Sequence, residues 1–148
     1  MQHFLNSYEA LIANEKNIIA NLANTSAFLN EYLEKINWIG FYLWNDAEKQ
    51  LILGPFQGKV ACNRIDLGAG VCGSAYAEKK TLRIADVDLF PGHIVCDSAS
   101  KSELVIPFWG QSGEISGVLD IDSPIVGRFT EQDQVTLEEY VKILEKYI

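Results

Sequence analysis

Three cysteines lie in the middle third of the 148-residue chain, at Cys62, Cys72 and Cys96. Each falls in a segment that the local sequence predicts to be a loop or the start of a helix. Free cysteine often acts only as a small buried apolar side chain, but glycine and polar residues surround Cys72 and Cys96 and favour exposure to solvent. An accessible thiolate is a nucleophile that oxidises reversibly to a sulfenic acid and then to a disulfide. The cysteines therefore indicate thiol or redox chemistry.

The cysteine pattern argues against two other uses of this residue. An odd number of cysteines cannot all pair within one chain, and structural disulfides are rare in a reducing compartment. The spacings contain no C-x-x-C pair, and His93 offers the one nearby nitrogen ligand. Because zinc sites usually begin from ligand pairs at short spacing, the sequence predicts no metal site. His93 either stabilises a Cys96 thiolate or has no chemical role, and we leave it outside the predicted catalytic set.

Three carboxylates, Glu103, Asp120 and Asp122, bracket one predicted hairpin. Asp120 and Asp122 are two positions apart on a predicted strand and therefore point to the same face. Carboxylates that share a pocket repel one another, which raises the pKa of at least one of them and keeps a proton available near neutral pH. The remaining negative charge would attract an ammonium group. The alternative is that one or more of these acids only caps or flanks the turn.

Two aromatic residues, Trp38 and Tyr42, are four positions apart on a predicted strand and share one of its faces. Their rings could form an apolar wall of a ligand pocket. Large aromatic side chains also dominate protein cores, so simple packing is the alternative interpretation for either residue.

Composition limits the possible partners. The formal charge of -8 and the pI of about 4.7 oppose binding to a phosphate backbone, so we expect no nucleic acid partner. The amino-terminal residues show no basic region leading into an apolar run. No window approaches the roughly 20 apolar residues that span a bilayer. We therefore expect a cytoplasmic protein without membrane contact.

The elements that must position these residues alternate between helical and extended periodicity. Predicted helices cover residues 7–22, 26–33, 71–79 and 130–147, and predicted strands cover 36–44, 50–54, 60–67, 82–85, 103–109 and 114–122. Capping residues at 24–26 separate the first two helices, and Thr130 with Asp133 resembles a capping start of the last. Residues 86–101 show no sustained period, and a loop of this length in a compact domain is usually functional.

These elements predict an α+β fold. Helices at both ends would flank a mainly antiparallel central sheet of about six strands, most of them joined by hairpins. The length is that of one domain, so we expect a single domain over residues 1–148.

Four short motifs, in this order, resemble those of a GAF domain: residues 37–42 (NWIGFY), 68–73 (GAGVCG), 84–87 (IADV) and 117–123 (GVLDIDS). Within that superfamily, the three cysteines together with residues 90–97 (FPGHIVCD) and 102–107 (SELVIP) resemble the free methionine-(R)-sulfoxide reductases over nearly the whole chain. The resemblance implies a single GAF domain that reduces free methionine-(R)-sulfoxide. It also implies a homodimer, thioredoxin as the reductant, and no metal or organic cofactor.

The resemblance also assigns roles to the cysteines. Cys96 is the expected catalytic cysteine, Cys62 its resolving partner, and Cys72 a second active-site thiol that stands in or assists. Cys62 and Cys96 are 34 residues apart, so they can meet only if the fold brings the third strand beside the 86–101 loop. A disulfide needs Cα atoms about 4.4 to 6.8 Å apart, so loop movement is necessary if the reduced protein holds them further apart.

The remaining site residues follow from the same similarity. The family's acidic substrate-site residues match Glu103, Asp120 and Asp122, and its aromatic pocket residues match Trp38 and Tyr42. The carboxylates would attract the α-ammonium of a free amino acid, which a peptide-bound methionine sulfoxide lacks. This offers a physical reason for selectivity toward the free amino acid.

Two other functions stay open from the residues alone. A GAF module that binds a small molecule could signal by association, although three thiols and a carboxylate cluster favour chemistry over sensing. A thiol redox sensor would oxidise with peroxide but would not turn over with methionine sulfoxide. Turnover therefore separates the reductase from both kinds of sensor.

Overall fold

The computed structural model describes residues 2–96 and 98–148. Its helices are α1 (Gln2–Ile12), α2 (Ile18–Tyr32), α3 (Gly70–Glu78) and α4 (Glu131–Glu145). Its strands are β1 (Trp38–Asn45), β2 (Gln50–Gly58), β3 (Arg64–Asp66), β4 (Leu82–Ile84), β5 (Ser102–Trp109) and β6 (Ser116–Ser123). A short 3-10 helix, Val87–Leu89, lies in the long loop between β4 and β5.

The strands form one sheet in the order β3-β2-β1-β6-β5-β4, and every neighbouring pair is antiparallel. The predicted α+β fold with an antiparallel sheet is therefore confirmed. The centre of the sheet is β6, which pairs with β1 on one side and with β5 on the other. These three strands carry most of the predicted site residues.

The two faces of the sheet bury different sets of side chains, because successive residues of a strand point to opposite faces. On one face, Ile39 and its neighbours pack with residues of α1, α2 and α4, among them the fully buried Tyr140. On the other face, Trp38 and Tyr42 pack with Ala75 of α3. The helical layer stabilises the fold, and the α3 face holds the site described below.

The first two helices differ from the prediction in where they break. The sequence pattern predicts helices over 7–22 and 26–33, whereas the structure has α1 at Gln2–Ile12 and α2 at Ile18–Tyr32. The break therefore lies at residues 13–17, and the predicted break at 24–26 is wrong.

The polar residues at 24–26 continue α2 because their side chains bond within the helix. The hydroxyls of Thr25 and Ser26 donate to the carbonyls four residues earlier, at 2.7 Å and 3.0 Å. Such a bond satisfies a buried hydroxyl without ending the helix. The cap is Asn17, whose side chain accepts from the backbone N–H of Ala20 at 3.0 Å. Capping residue types alone did not locate the helix start.

The third predicted strand is shorter than its pattern suggested. Residues 60–67 alternate in part, but only Arg64–Asp66 pairs with β2. The segment before it is held instead by side chains of β1, as described for the site. Predicted strand 114–122 similarly begins later, at Ser116, because residues 111–113 and their neighbours form the turn.

The last helix begins as predicted. The Thr130 side chain accepts from the backbone N–H of Asp133, and the Asp133 side chain accepts from the backbone N–H of Thr130. This reciprocal pair satisfies two N–H groups that a helix start otherwise leaves unbonded. Over the described residues, none of the helices combines the length and the apolarity that a bilayer crossing demands.

Candidate active site

Strand register brings the three carboxylates together at the middle of the sheet. On β6, Asp122 lies opposite Trp38 of β1 on one side and Glu103 of β5 on the other. Asp120 lies two residues earlier, on the same face. Glu103 and Asp120 are 7% and 5% exposed, and Asp122 is half-buried. The predicted common face of Asp120 and Asp122 and their shared pocket with Glu103 are present in the structure.

Burial and mutual repulsion change the acidity of this cluster. Burial raises the pKa of Glu103 well above its usual value, and the charges of Asp120 and Asp122 raise it further. Burial also raises the pKa of Asp120, while hydrogen bonds with Glu103 and Asp122 act in the opposite direction. The Oδ1 atom of Asp120 is buried and has no hydrogen-bond partner. Burial and mutual repulsion therefore favour a protonated carboxyl in this cluster, and the upward shift of the pKa is well marked at Glu103.

Cys72 lies in the first turn of α3 and faces the carboxylates. Its thiol donates to Oε2 of Glu103, with a sulfur–oxygen distance of 3.7 Å. The side chain is 4% exposed, so the expectation that its glycine-rich surroundings keep the sulfur near solvent is wrong. Burial is the main cause that raises the pKa of the thiol, and the charge of Asp120 raises it further. A buried neutral thiol is a poor nucleophile, which favours an assisting role for Cys72.

Close packing of α3 explains why Cys72 is buried. A Cβ at Gly73 would collide with the backbone carbonyl of Asp66, at the end of β3. The glycine thus lets the helix start lie directly against the strand end. Glycine in this motif allows two backbone segments to pack closely, so its presence does not imply that Cys72 is exposed to solvent.

Cys62 and Cys96, the pair expected from the resemblance, form a disulfide with their Cα atoms 5.4 Å apart. Cys62 lies just before β3, and Cys96 lies in the 86–101 loop. The fold thus brings these two segments together, as the pairing requires. Cys72 is the remaining thiol of the three cysteines.

Trp38 and Tyr42 line the same face and also hold the segment that contains Cys62. Their rings stack with centroids 5.8 Å apart. The Trp38 Nε1–H donates to the carbonyl of Lys59 at 3.1 Å, and the Tyr42 hydroxyl donates to the carbonyl of Cys62 at 3.0 Å. Both side chains are buried, so each of them packs in the protein interior and also belongs to the site. Tyr42 thus holds the backbone of Cys62, and Trp38 holds that of Lys59, three residues earlier.

A small cavity joins these groups. Seven of the eight predicted site residues line this cavity: Trp38, Tyr42, Cys72, Cys96, Glu103, Asp120 and Asp122. The eighth, Cys62, is joined by the disulfide to Cys96. Its volume is about 50 Å³. That is room for a few water molecules, because a single buried water molecule needs about 10–15 Å³ of such volume. Ile94, in the same loop as Cys96, also lines the cavity, so the disulfide-bonded loop narrows the site.

His93 is a lining residue that the sequence argument left out. It is half-buried, and its Nδ1 atom is buried without a hydrogen-bond partner. Its charge acts to lower the pKa of Asp120, which shows that the two side chains are electrostatically close. The one signal in the sequence was its position three residues before Cys96. That proximity along the loop did not reveal that the imidazole points toward the carboxylates.

Comparison with known protein families gives a single result over most of the chain. The family model described as a GAF domain matches residues 20–145. The match covers α2 to α4 and so includes all the predicted site residues.

Individual relatives agree with this match. The chain is 53% identical over 141 residues to the free methionine-R-sulfoxide reductase of Escherichia coli, covering 95% of this chain and 84% of the relative. It is 42% identical over 151 residues to the free methionine-R-sulfoxide reductase of Saccharomyces cerevisiae, covering 99% and 84%. It superposes with a TM-score of 0.92 on the free methionine-R-sulfoxide reductase of Neisseria meningitidis in complex with its substrate, at 45% identity, covering 99% and 86%. The chain therefore belongs to the GAF-domain family and, within it, to the free methionine-R-sulfoxide reductases.

Proposed function

We propose that this protein reduces free L-methionine-(R)-sulfoxide to L-methionine, with Cys96 as the nucleophile and Cys62 as the resolving cysteine. The observation that carries the proposal is the Cys62–Cys96 disulfide at the edge of a cavity that is also lined by Glu103, Asp120 and Asp122. The identity of about 50% to a free methionine-R-sulfoxide reductase supports the same reaction.

In the first step, the Cys96 thiolate attacks the sulfur of the sulfoxide. The sulfoxide oxygen accumulates negative charge as it leaves that sulfur and needs a proton. Glu103 is the proposed acid, because burial and the charges of Asp120 and Asp122 raise its pKa and so favour its protonated form. The protonated oxygen then passes from the substrate sulfur to the sulfur of Cys96 as a sulfenic acid. The bond between the two sulfurs breaks with its electron pair going to the substrate, and methionine leaves with its sulfur reduced by two electrons.

In the second step, the Cys62 thiol attacks the sulfenic sulfur of Cys96 and displaces water. This forms the disulfide and returns the sulfenic oxygen to solvent. An external dithiol must then supply two electrons to restore both thiols, and thioredoxin is the proposed donor. The side chains of Val60 and Val95, 89% and 66% exposed, flank the two cysteines in sequence and offer apolar surface to such a partner.

Substrate entry is proposed to require the reduced protein. The cavity of about 50 Å³ in the disulfide form is too small for methionine sulfoxide, whose side chain has five non-hydrogen atoms. Ile94 lies 3.2 Å from the position of a Cβ on Gly70, so the loop covers the start of α3. Breaking the disulfide would free this loop and widen the site. Formation of the disulfide, after methionine has left, would close the site again.

Selectivity for the free amino acid is proposed to rest on the carboxylates. With a proton on Glu103, Asp120 and Asp122 supply negative charge for the α-ammonium of the substrate. Trp38 and Tyr42 supply an apolar wall for its methyl group. We further propose that the enzyme works in the cytoplasm, where a thioredoxin system is available. The homodimer stays a prediction from the family resemblance.

Substrate discrimination tests this function. With thioredoxin, thioredoxin reductase and NADPH, we expect turnover with free L-methionine-(R)-sulfoxide and none with its (S) epimer. An N-acetylated (R) sulfoxide lacks the ammonium charge, so its kcat/KM should be lower by at least about a hundredfold. The measurement is the rate of NADPH consumption.

Two controls make the result decisive. Omitting thioredoxin should stop NADPH consumption, and dithiothreitol should restore methionine formation. Equal rates with the free and acetylated sulfoxides would contradict the ammonium argument. No turnover with any sulfoxide, together with oxidation by peroxide, would refute the reductase and leave a thiol redox sensor.

A further inference from the structure

Cys72, Glu103 and Asp120 form a compact group of three metal-ligating side chains. One donor atom from each, the Sγ and two carboxylate oxygens, all lie within 4.8 Å of one another. All three residues are buried. They come from three elements, α3, β5 and β6, which explains why the sequence showed no ligand pair at short spacing.

The separation of the donor atoms fits a shared cation. In a tetrahedral zinc site with Zn–S near 2.3 Å and Zn–O near 2.1 Å, a sulfur and an oxygen ligand lie about 3.6 Å apart. The Sγ of Cys72 is 3.7 Å from Oε2 of Glu103. This pair already has the required distance, and the Asp120 oxygen, within 4.8 Å of both, needs a shift of at most about 1 Å to complete the site.

An unsatisfied atom points to a missing ligand. Oδ1 of Asp120 is buried and accepts no hydrogen bond, although a buried carboxylate oxygen normally has a partner. In the part of the chain that the structure describes, neither Asp120 nor Glu103 forms an ion pair with lysine or arginine. Buried negative charge without a cation is costly, and a bound cation would remove that cost.

We propose that a thiophilic divalent cation of the zinc and cadmium class binds to Cys72, Glu103 and Asp120 and excludes the substrate. One thiolate and two carboxylates suit zinc or cadmium better than magnesium or calcium, which prefer oxygen ligands alone. Binding replaces the thiol proton of Cys72 with a sulfur–metal bond and the carboxyl proton of Glu103 with an oxygen–metal bond, and both protons are released to solvent. The fourth position faces the cavity and is open to water.

The position of the proposed cation determines its effect on activity. The cation would occupy the place where the proposed substrate ammonium meets the carboxylates, so the two would compete. This inhibitory effect rests on the proposed function, whereas metal binding itself does not. The site would therefore make the reductase sensitive to free zinc or cadmium, with no metal needed for turnover.

Cadmium titration of the oxidised protein tests the site without any activity measurement. In that form Cys62 and Cys96 are joined, so a thiolate-to-cadmium charge-transfer band in the ultraviolet can come only from Cys72. We expect this band to saturate at one cadmium per chain, with the same stoichiometry in calorimetry. Cys72→Ser should lose the band, and Asp120→Asn should weaken binding by at least about tenfold.

Matched variants fix the interpretation. Glu114 is an exposed carboxylate in the turn at the other end of the β5–β6 hairpin, so Glu114→Gln should bind cadmium like the wild type. Absence of the band in the wild type, or unchanged cadmium affinity in Asp120→Asn, would overturn the proposal. Near-ultraviolet circular dichroism checks that each variant is folded. If Cys72→Ser does not fold, the cadmium affinity of Asp120→Asn decides the test.

A kinetic arm separates this proposal from the reductase proposal. In single-turnover reactions of pre-reduced, desalted protein, zinc should raise the methionine sulfoxide concentration that gives half the maximal rate in proportion to the zinc concentration, with the maximal rate unchanged. Metal binding in a protein that shows no turnover would support the site and refute the reductase. Turnover that is unaffected when the site is saturated with zinc would overturn the inhibitory effect.

Discussion

Replacing Cys96 with serine is expected to lower the rate of methionine formation by at least about a thousandfold, because the hydroxyl is a far weaker nucleophile at sulfur than a thiolate. The substitution changes one atom next to the cavity and leaves the carboxylate cluster in place. Substrate binding to the variant should therefore persist. The measurement is methionine produced per chain, with binding checked by calorimetry.

Replacing Cys62 with serine is expected to give a different defect. The first step needs only Cys96, so reduced Cys62→Ser should form one methionine per chain in a burst. Steady-state turnover with thioredoxin should then fall by at least about tenfold, because no disulfide can form with Cys96. A sulfenic acid on Cys96, trapped by dimedone and located by mass spectrometry, would mark the stalled protein.

Cys72→Ser is the matched control for both cysteine variants. Cys72 is outside the disulfide and its thiol is buried and neutral, so this variant should still produce methionine and the Cys62–Cys96 disulfide. The assignment would be contradicted if Cys72→Ser lost the burst while Cys96→Ser kept it. Such a result would make Cys72 the nucleophile despite its burial.

Glu103→Gln is expected to reduce kcat by at least about a hundredfold, because glutamine cannot protonate the leaving oxygen. The dependence of the wild-type kcat on pH should reveal this proton donation. The pKa of Glu103 is raised, so the carboxyl stays protonated above its ordinary range and loses the proton as pH rises through the raised value. The wild-type kcat should thus fall on the alkaline side, and Glu103→Gln should lack that fall.

Asp122→Asn separates binding from proton donation. Asp122 is proposed to attract the substrate ammonium, so its loss should raise KM more than it lowers kcat. Glu114→Gln removes an exposed carboxylate distant from the cavity and should change neither parameter. Unchanged kcat and KM in both Glu103→Gln and Asp122→Asn would refute the carboxylate mechanism.

The fold was largely predictable because its signals are periodic. The turn residues 111–113 between the strand-like segments 103–109 and 114–122 predicted the hairpin that carries Glu103, Asp120 and Asp122. The period of two along a strand placed both aspartates on one face. The pairing of Asp122 with both Trp38 and Glu103 could not be predicted, because register between distant strands depends on the whole sheet.

The errors arose where a local residue pattern has two physical outcomes. Thr25 and Ser26 can cap a helix or bond to the preceding turn, and tertiary burial favoured the second. Glycines beside Cys72 can expose a loop or allow close packing, and here the backbone approach between Gly73 and Asp66 buries the thiol. His93 reaches the cavity through the path of the 86–101 loop, which no periodicity describes.

The most direct test of the central claim is a single turnover without external reductant. Fully reduced wild-type protein is mixed with free L-methionine-(R)-sulfoxide, methionine is quantified, and the cysteines are mapped by peptide mass spectrometry. We predict one methionine per chain, a Cys62–Cys96 disulfide and an unmodified Cys72, with no product from the (S) epimer. Absence of methionine, or methionine formed while Cys96 stays a free thiol, would contradict the account.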